Sequence, residues 1–252
     1  MNVLGLFAGI GGIELGLQRA GMRIVGLVER DEWCRRVLAH HWPEAALHDD
    51  VATTPEWWAN RERVDVVAGG FPCQPFSQSG KQKGMEDERW MWPAMAAVIR
   101  AVRPRYVVVE NVAALVRDGW AWGTVLADLH ALGFDAEWST LSANQFGAPH
   151  IRERVYLVAY ATGDDGGHPD ASATPWPLEL EPRGSGGRHG RGDWLPEPDV
   201  GRVAHGVPRG LVYGPLHALG NAVVPPVLEH VGRRVIEHAH RSADLSSGGV
   251  SS

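Results

Sequence analysis

Across the first 160 residues, short β-branched runs alternate with stretches in which apolar residues return every three or four positions. That alternation is the pattern of βαβ units feeding a parallel sheet. The runs predict strands at Val3–Phe7, Ile24–Val28, Val64–Ala68, Tyr106–Glu110, Ala136–Leu141 and Val155–Tyr160, with a shorter one near Ala46. Between them the spacing predicts helices over Ile13–Ala20, Glu32–His41, Met91–Val102 and Thr124–Leu132. From Gly163 to Gly201 the texture changes, with 9 Gly and 6 Pro in 39 residues and few β-branched side chains, so that stretch reads as a loop-rich insert. Regular structure resumes at Val223, where Pro225 and Pro226 lead into a closing helix over Val227–His238. The expected organisation is a main unit at 1–160, a short insert at 161–201, a returning segment at 202–241 and a frayed Ser/Gly-rich tail at 242–252.

A length of 252 residues, with 44% hydrophobic and 21% charged residues, fits one large folded domain with an appendage and excludes disordered or collagen-like classes. No Lys or Arg precedes the first apolar stretch and no apolar run is long enough to span a bilayer, so a cytoplasmic protein with no membrane partner is expected. Two cysteines, Cys34 and Cys73, fit neither a metal pair nor a disulfide framework and read as reduced thiols. A net charge of -6 does not announce nucleic acid, but a cleft needs only local positive charge, for which Lys81, Lys83, Arg89, Arg152, Arg154, Arg183, Arg188 and Arg191 are candidates. His40 with His41, and His238 with His240, lack carboxylates or cysteines at ligand spacing; they read as solvated or capping histidines, and no metal is expected.

The chemistry gathers where strands end. After the first strand comes Phe7-Ala8-Gly9-Ile10-Gly11-Gly12, a turn that can bring backbone close to a bound molecule. Glu29 ends the second strand, where a carboxylate can accept from ribose hydroxyls, and Asp50 can serve an adenine amino group in the same way. Glu14 stands where a GxGxxG fingerprint would have its third glycine, so a nucleoside cofactor is a better reading than a dinucleotide. Gly69-Gly70-Phe71-Pro72-Cys73-Gln74-Pro75-Phe76-Ser77 follows the strand at 64–68 and puts Cys73 in a polar, proline-braced loop, the setting of a nucleophile. Cys34, beside Trp33 and Val37 on a helix, reads as inert. Glu110-Asn111-Val112 opens into the same cleft, and four apolar residues before Glu110 imply a desolvated acid with a raised pKa, suited to proton donation. Arg152 and Arg154 share one side of an extended segment fitted to an anionic or carbonyl group.

FAGIGG (7–12), GGFPCQPFSQSG (69–80), DER (87–89), ENV (110–112), GAPHIRERVY (147–156) and GNAVVPPV (220–227) together resemble the ordered motifs of the cytosine-5 DNA methyltransferases. The resemblance implies an α/β, Rossmann-like fold with a mostly parallel sheet and a small target-recognition insert. It implies S-adenosylmethionine as cofactor, held by Phe7, Ala8, Gly9, Ile10, Gly11, Gly12, Glu29, Asp50, Val51, Pro72, Asn221 and Val223. It further implies that Cys73 attacks carbon 6 of a flipped-out cytosine, that Glu110 serves ring nitrogen 3, and that Arg154 and Arg152 complete the pocket. Gln74, Ser77, Ser79 and Arg89 would touch double-stranded DNA, with Trp176, Arg183, Arg188 and Arg191 reading bases from a reduced insert. His150 departs from the family's usual Gln. A cognate restriction endonuclease is a candidate partner, and a monomer is the default state. The alternatives are an RNA cytosine-5 methyltransferase, against which the Pro-Phe-Ser ending at 75–77 weighs, and a DNA- or cofactor-binding relative without turnover.

Overall fold

Val3-Leu4, Val66 to Ala68 and Tyr106 to Val109 are apolar on both sides of their strands, so neither face of the sheet they build can meet water. In the computed structural model, which describes residues 1–72, 90–162 and 222–247, both faces are covered. Seven strands form one sheet: β1 (Asn2–Leu6), β2 (Arg23–Val28), β3 (Ala46–His48), β4 (Val66–Gly69), β5 (Tyr106–Val112), β6 (Phe134–Ser142) and β7 (Glu153–Ala161), in the order β3-β2-β1-β4-β5-β7-β6. β3, β2, β1, β4 and β5 run parallel, whereas β7 is antiparallel to both of its neighbours. This is the α/β, mostly parallel arrangement expected.

Strand order reverses between β1 and β4, and open α/β sheets bind ligands at such a switch point, beyond the carboxyl ends of the strands. The turn after β1, Glu29 after β2, Gly70 after β4 and Glu110 near the end of β5 all lie at that edge.

Among the described residues seven helices flank the sheet: α1 (Gly12–Arg19), α2 (Glu32–His41), α3 (Thr54–Trp58), α4 (Trp92–Val102), α5 (Ala114–Arg117), α6 (Gly119–Ala131) and α7 (Pro225–Ser247). One core joins Leu4, Leu6 and Val67 to Trp92, Met95 and Ile99 of α4 and to Trp122 and Leu129 of α6. The core on the opposite face joins Val3, Ala68 and Val108 to Leu17 of α1 and to Leu228, Val231 and Val235 of α7. α1 and α7 pack closely through glycines. A methyl group on Gly16 would run into Leu228 and the Pro225 carbonyl, and one on Gly232 would meet Ala20 at 2.8 Å and Leu17 at 3.0 Å.

Three differences from expectation have physical causes. α6 starts at Gly119 and not Thr124, because Asp118 caps it by accepting from the Ala121 N–H at 3.0 Å and Trp122 is buried. α7 starts at its prolines and continues through Ser247, into the segment read as a tail. Ser242 is 2% exposed there and donates to the His238 carbonyl at 2.9 Å. His238 is therefore not solvated: it is buried, with Nδ1 2.8 Å from the Tyr106 hydroxyl. His240 and the pair His40 and His41 are exposed, the latter two on the last turn of α2.

Candidate active site

Two of the three glycines in the turn after β1 are required by the protein's own packing. Gly11 (φ 88°) faces the Trp42 indole, and a methyl group on Gly12 would lie 2.6 Å from the Val223 carbonyl. Gly9 differs, because with φ 55° a side chain there would meet no protein atom within 4 Å. Phe7 also has a positive φ, 54°, a strained conformation for a bulky residue and one that concentrates at ligand sites. Glu29 ties this turn to β2: its carboxylate accepts from the Gly9 N–H at 2.7 Å and from the Asp31 N–H at 2.7 Å. Asp50 caps the 3-10 turn Val51–Thr53, one of its oxygens accepting from the Ala52 N–H at 2.9 Å, and Val51 is buried beneath it. Val223, from the far end of the chain, closes the turn through Gly12.

At the other side of the switch point Glu110 is 7% exposed on β5. Burial raises its pKa, and the nearby Arg154 and Arg152 guanidinium groups lower it by less, so the acid holds its proton to higher pH than a solvated carboxyl. Arg154 Nε lies 3.2 Å from a Glu110 carboxyl oxygen. It is brought there by the antiparallel register that sets Val112 beside Arg154 and Glu110 beside Tyr156. Arg152, just before β7, is half-buried, and its own pKa is lowered by desolvation and by Arg154. Gly70 leaves room for this group: a methyl there would stand 3.0 Å from Glu110 Oε2.

Asn111 is a buried residue beside the site to which the motif reading gave no role of its own. Its buried amide donates to the Phe71 carbonyl at 3.0 Å while its oxygen accepts from the Val112 N–H at 2.9 Å. The hydrogen bond clamps β5 to the chain two residues before Cys73, and ENV at 110–112 was the one available signal. Glu14, read from the sequence only as a break in the glycine spacing, is a second buried polar residue near the turn. It is fully buried against Gly5, neither carboxyl oxygen has a hydrogen-bond partner, and burial, with Glu29 adding to it, pushes its pKa up to about 8.

The structure thus gathers Phe7, Ala8, Gly9, Ile10, Gly11, Gly12, Glu29, Pro72, Glu110, Arg152, Arg154 and Val223 along one edge of the sheet, with Asp50 and Val51 following the neighbouring β3. Cys73, Gln74, Ser77, Ser79, Arg89, Trp176, Arg183, Arg188, Arg191 and Asn221 lie outside the described residues. Cys34 is buried with its thiol pushed up to about 12 by burial and by Glu29 and Asp31, which fits an inert thiol. Among the described residues no three His, Cys, Asp or Glu side chains are placed to hold a metal ion, and no helix is long and apolar enough to cross a membrane.

The family model for C-5 cytosine-specific DNA methylases matches residues 1–179. The chain belongs to this family. Among its relatives, the type II methyltransferase M2.BsuMI of Bacillus subtilis (strain 168) is 34% identical over 166 residues, 63% of this chain and 42% of that protein. M.NlaX of Neisseria lactamica is 36% identical over 173 residues, 65% of this chain and 53% of that protein. The chain thus spans about half the length of the relatives it matches. The fold is similar to that of S. pombe Dnmt2 methyltransferase, with a TM-score of 0.52 at 25% identity over 65% of this chain and 52% of that one. It also resembles Spodoptera frugiperda DNMT2, with a TM-score of 0.53 at 24% identity over 66% and 51%.

C-5 cytosine methylases use S-adenosylmethionine, and the described residues fit it. The open, left-handed Gly9 leaves backbone available to a ligand, and Glu29 is oriented at the end of β2 where a ribose would lie.

Proposed function

We propose that the chain is a DNA methyltransferase that moves a methyl group from S-adenosylmethionine to carbon 5 of a cytosine flipped out of double-stranded DNA, through a covalent adduct with Cys73. The observation that carries the proposal is Glu110, a buried carboxyl whose pKa desolvation raises, set beside Arg154 at 3.2 Å at the switch point of the sheet. Carbon 5 of cytosine is too poor a nucleophile to take a methyl group unaided. The Cys73 thiolate adds to carbon 6, and the electron pair of the 5,6 double bond moves into the ring. Glu110 gives its proton, or a full hydrogen bond, to nitrogen 3, so negative charge does not accumulate on the base. S-adenosylmethionine, when bound, supplies an electrophilic methyl group to carbon 5. Loss of the carbon 5 proton to a base then breaks the carbon–sulfur bond and returns the thiolate.

Arg154 keeps Glu110 in place and faces the base, Arg152 adds positive charge to the pocket, and Asn111 fixes the strand end that carries the Cys73 loop. Phe7, the turn to Gly12, Glu29, Asp50, Val51, Pro72, Asn221 and Val223 hold the cofactor. Gln74, Ser77, Ser79, Arg89, Arg183, Arg188 and Arg191 meet DNA. The test is transfer of labelled methyl groups to mixed-sequence duplex DNA and to transfer RNA, with Cys73→Ala as control. Methylcytosine in DNA that disappears with Cys73→Ala supports the reading. Transfer to RNA alone, or transfer that persists without Cys73, overturns it.

A further inference from the structure

At the end of the sheet opposite Glu110, the chain leads into β4 through Arg61-Glu62-Arg63 and into β5 through Arg103-Pro104-Arg105, with Arg100 on the last turn of α4. β4 and β5 start side by side, Val66 beside Tyr106, so the two segments are neighbours. A shallow cleft between them is walled by Arg61 and Arg63 on one side and by Ala101 and Val102 on the other. Arg61, Arg63, Arg100 and Arg103 are exposed, and Arg105 lies over the Tyr106 ring at 5.4 Å. Among the described residues none of the five forms an ion pair. The nearby acids are fewer than the arginines: Glu62 lines the cleft and pairs with Arg23 at 2.9 Å, Asp65 accepts from the Asn2 N–H at 2.7 Å, and Glu56 on α3 is exposed.

In a chain of net charge -6 this is a face on which arginines outnumber acids. The dipole of α4 accounts for a cation at Arg100 and Arg103, but not for Arg61, Arg63 and Arg105. Arg61 is held in place by the Trp57 and Trp58 rings, 4.6 Å and 5.7 Å from its guanidinium carbon. Arg103 has φ 50°, a conformation that glycine takes freely and that costs a residue with a Cβ about 1 kcal/mol.

We propose that this face holds a second segment of duplex DNA by its phosphates, separate from the segment engaged at the cleft; the choice of DNA as the polyanion rests on the function proposed above. β5 alone carries the chain about 20 Å between the two ends of the sheet, so a straight duplex lying across one end does not touch the other. A phosphate backbone fits better than an acidic protein. Protein interfaces are built round a desolvated apolar centre, and among the described residues the large exposed apolar side chains, Trp120 on α6, Trp138 on β6 and Ile151 ahead of β7, lie elsewhere. Phosphate recognition needs only spread cationic donors.

The experiment measures binding of the full chain to an A·T-only duplex of about 200 base pairs across a salt series, by fluorescence anisotropy. Each lost phosphate contact lowers the slope of log affinity against log salt by roughly 0.9, so Arg61→Gln/Arg63→Gln/Arg103→Gln lowers it by about 2 to 3, and lysine at all three positions restores it. Arg103→Gly is the folding-safe variant, because glycine suits φ 50°; it melts no lower than the parent and lowers the slope by about 1. An unchanged slope in variants that melt like the parent overturns the proposal. So does loss of polyglutamate binding with duplex binding intact, which assigns the face to an acidic protein. Methyl transfer to a cytosine-containing duplex of about 12 base pairs, measured on the same preparations, separates the two readings: its absence in the parent refutes the proposed activity, while the salt slope on A·T duplex judges this face alone.

Discussion

Replacing Glu14 with glutamine should make the protein more stable, by an amount that grows with pH. Glu14 is fully buried on α1, its carboxyl fits only because Gly5 on β1 has no side chain, and neither oxygen is hydrogen-bonded. Desolvation, aided by the charge of Glu29, raises its pKa from 4.5 to about 8. A carboxyl with a raised folded pKa binds its proton more tightly in the native chain than in the unfolded one. The stability penalty is therefore absent below pH 4.5, grows as pH rises, and levels off above about 8. At 1.36 kcal/mol per pH unit the penalty is about 1 kcal/mol at pH 5, about 3 at pH 7 and about 4 at pH 8. Glutamine has the same shape and no charge to desolvate, so Glu14→Gln removes the pH-dependent part. Urea unfolding of both proteins at pH 5 and pH 8, with equal m-values, reads the difference directly. An increment that is the same at both pH values, or a Glu14→Gln protein less stable than the parent at pH 8, refutes the reasoning.

In the proposed mechanism Glu110 acts in its protonated form, so methyl transfer should fall as pH rises through its raised pKa; Glu110→Gln, which cannot donate a proton, should retain cofactor binding by calorimetry and lose turnover and that pH response together. Asn111→Ala should lower kcat by about 10- to 100-fold with cofactor affinity unchanged, since it frees the Phe71 carbonyl without touching the Gly9 to Gly12 turn; a loss confined to KM would contradict this. Gly232→Val should cost roughly 1–3 kcal/mol in unfolding experiments by forcing α7 away from Leu17 and Ala20, and should weaken cofactor binding because Val223 moves with it. Cys34→Ala should leave transfer intact, and Cys34 should resist alkylation in the folded protein at neutral pH, its thiol being buried with a pKa of about 12.

The parallel strands and the position of Glu110 were legible because both are local: an apolar run ends and an acid follows. α2 was read to the residue, since the helix is long enough to show its period, and the structure adds the cap that fixes its start, Asp31 accepting from the Cys34 N–H at 2.8 Å. α3 and α5 are too short for any period to emerge, and in α6 the opening Gly119-Trp120-Ala121-Trp122-Gly123 hides it. What the chain did not disclose were pairings across distance. Asn111 acts through a carbonyl 40 residues away, and the partner of His238 is 132 residues away. Glu14 is placed as an ordinary first-turn acid on α1, and only the packing of that helix over Gly5 shows it to be dry.

The contact of Gly12 with Val223, and the close crossing of Gly16 and Gly232, bear on how the molecule is made. A ribosome delivers β1 and α1 first and α7 more than 200 residues later, so the turn after β1 waits through most of synthesis without the neighbour that closes it. Until α7 docks, Leu17 and the glycine face of α1 stay open to water. A nascent chain can pair its parallel strands yet hold no finished cofactor turn until that late helix has arrived.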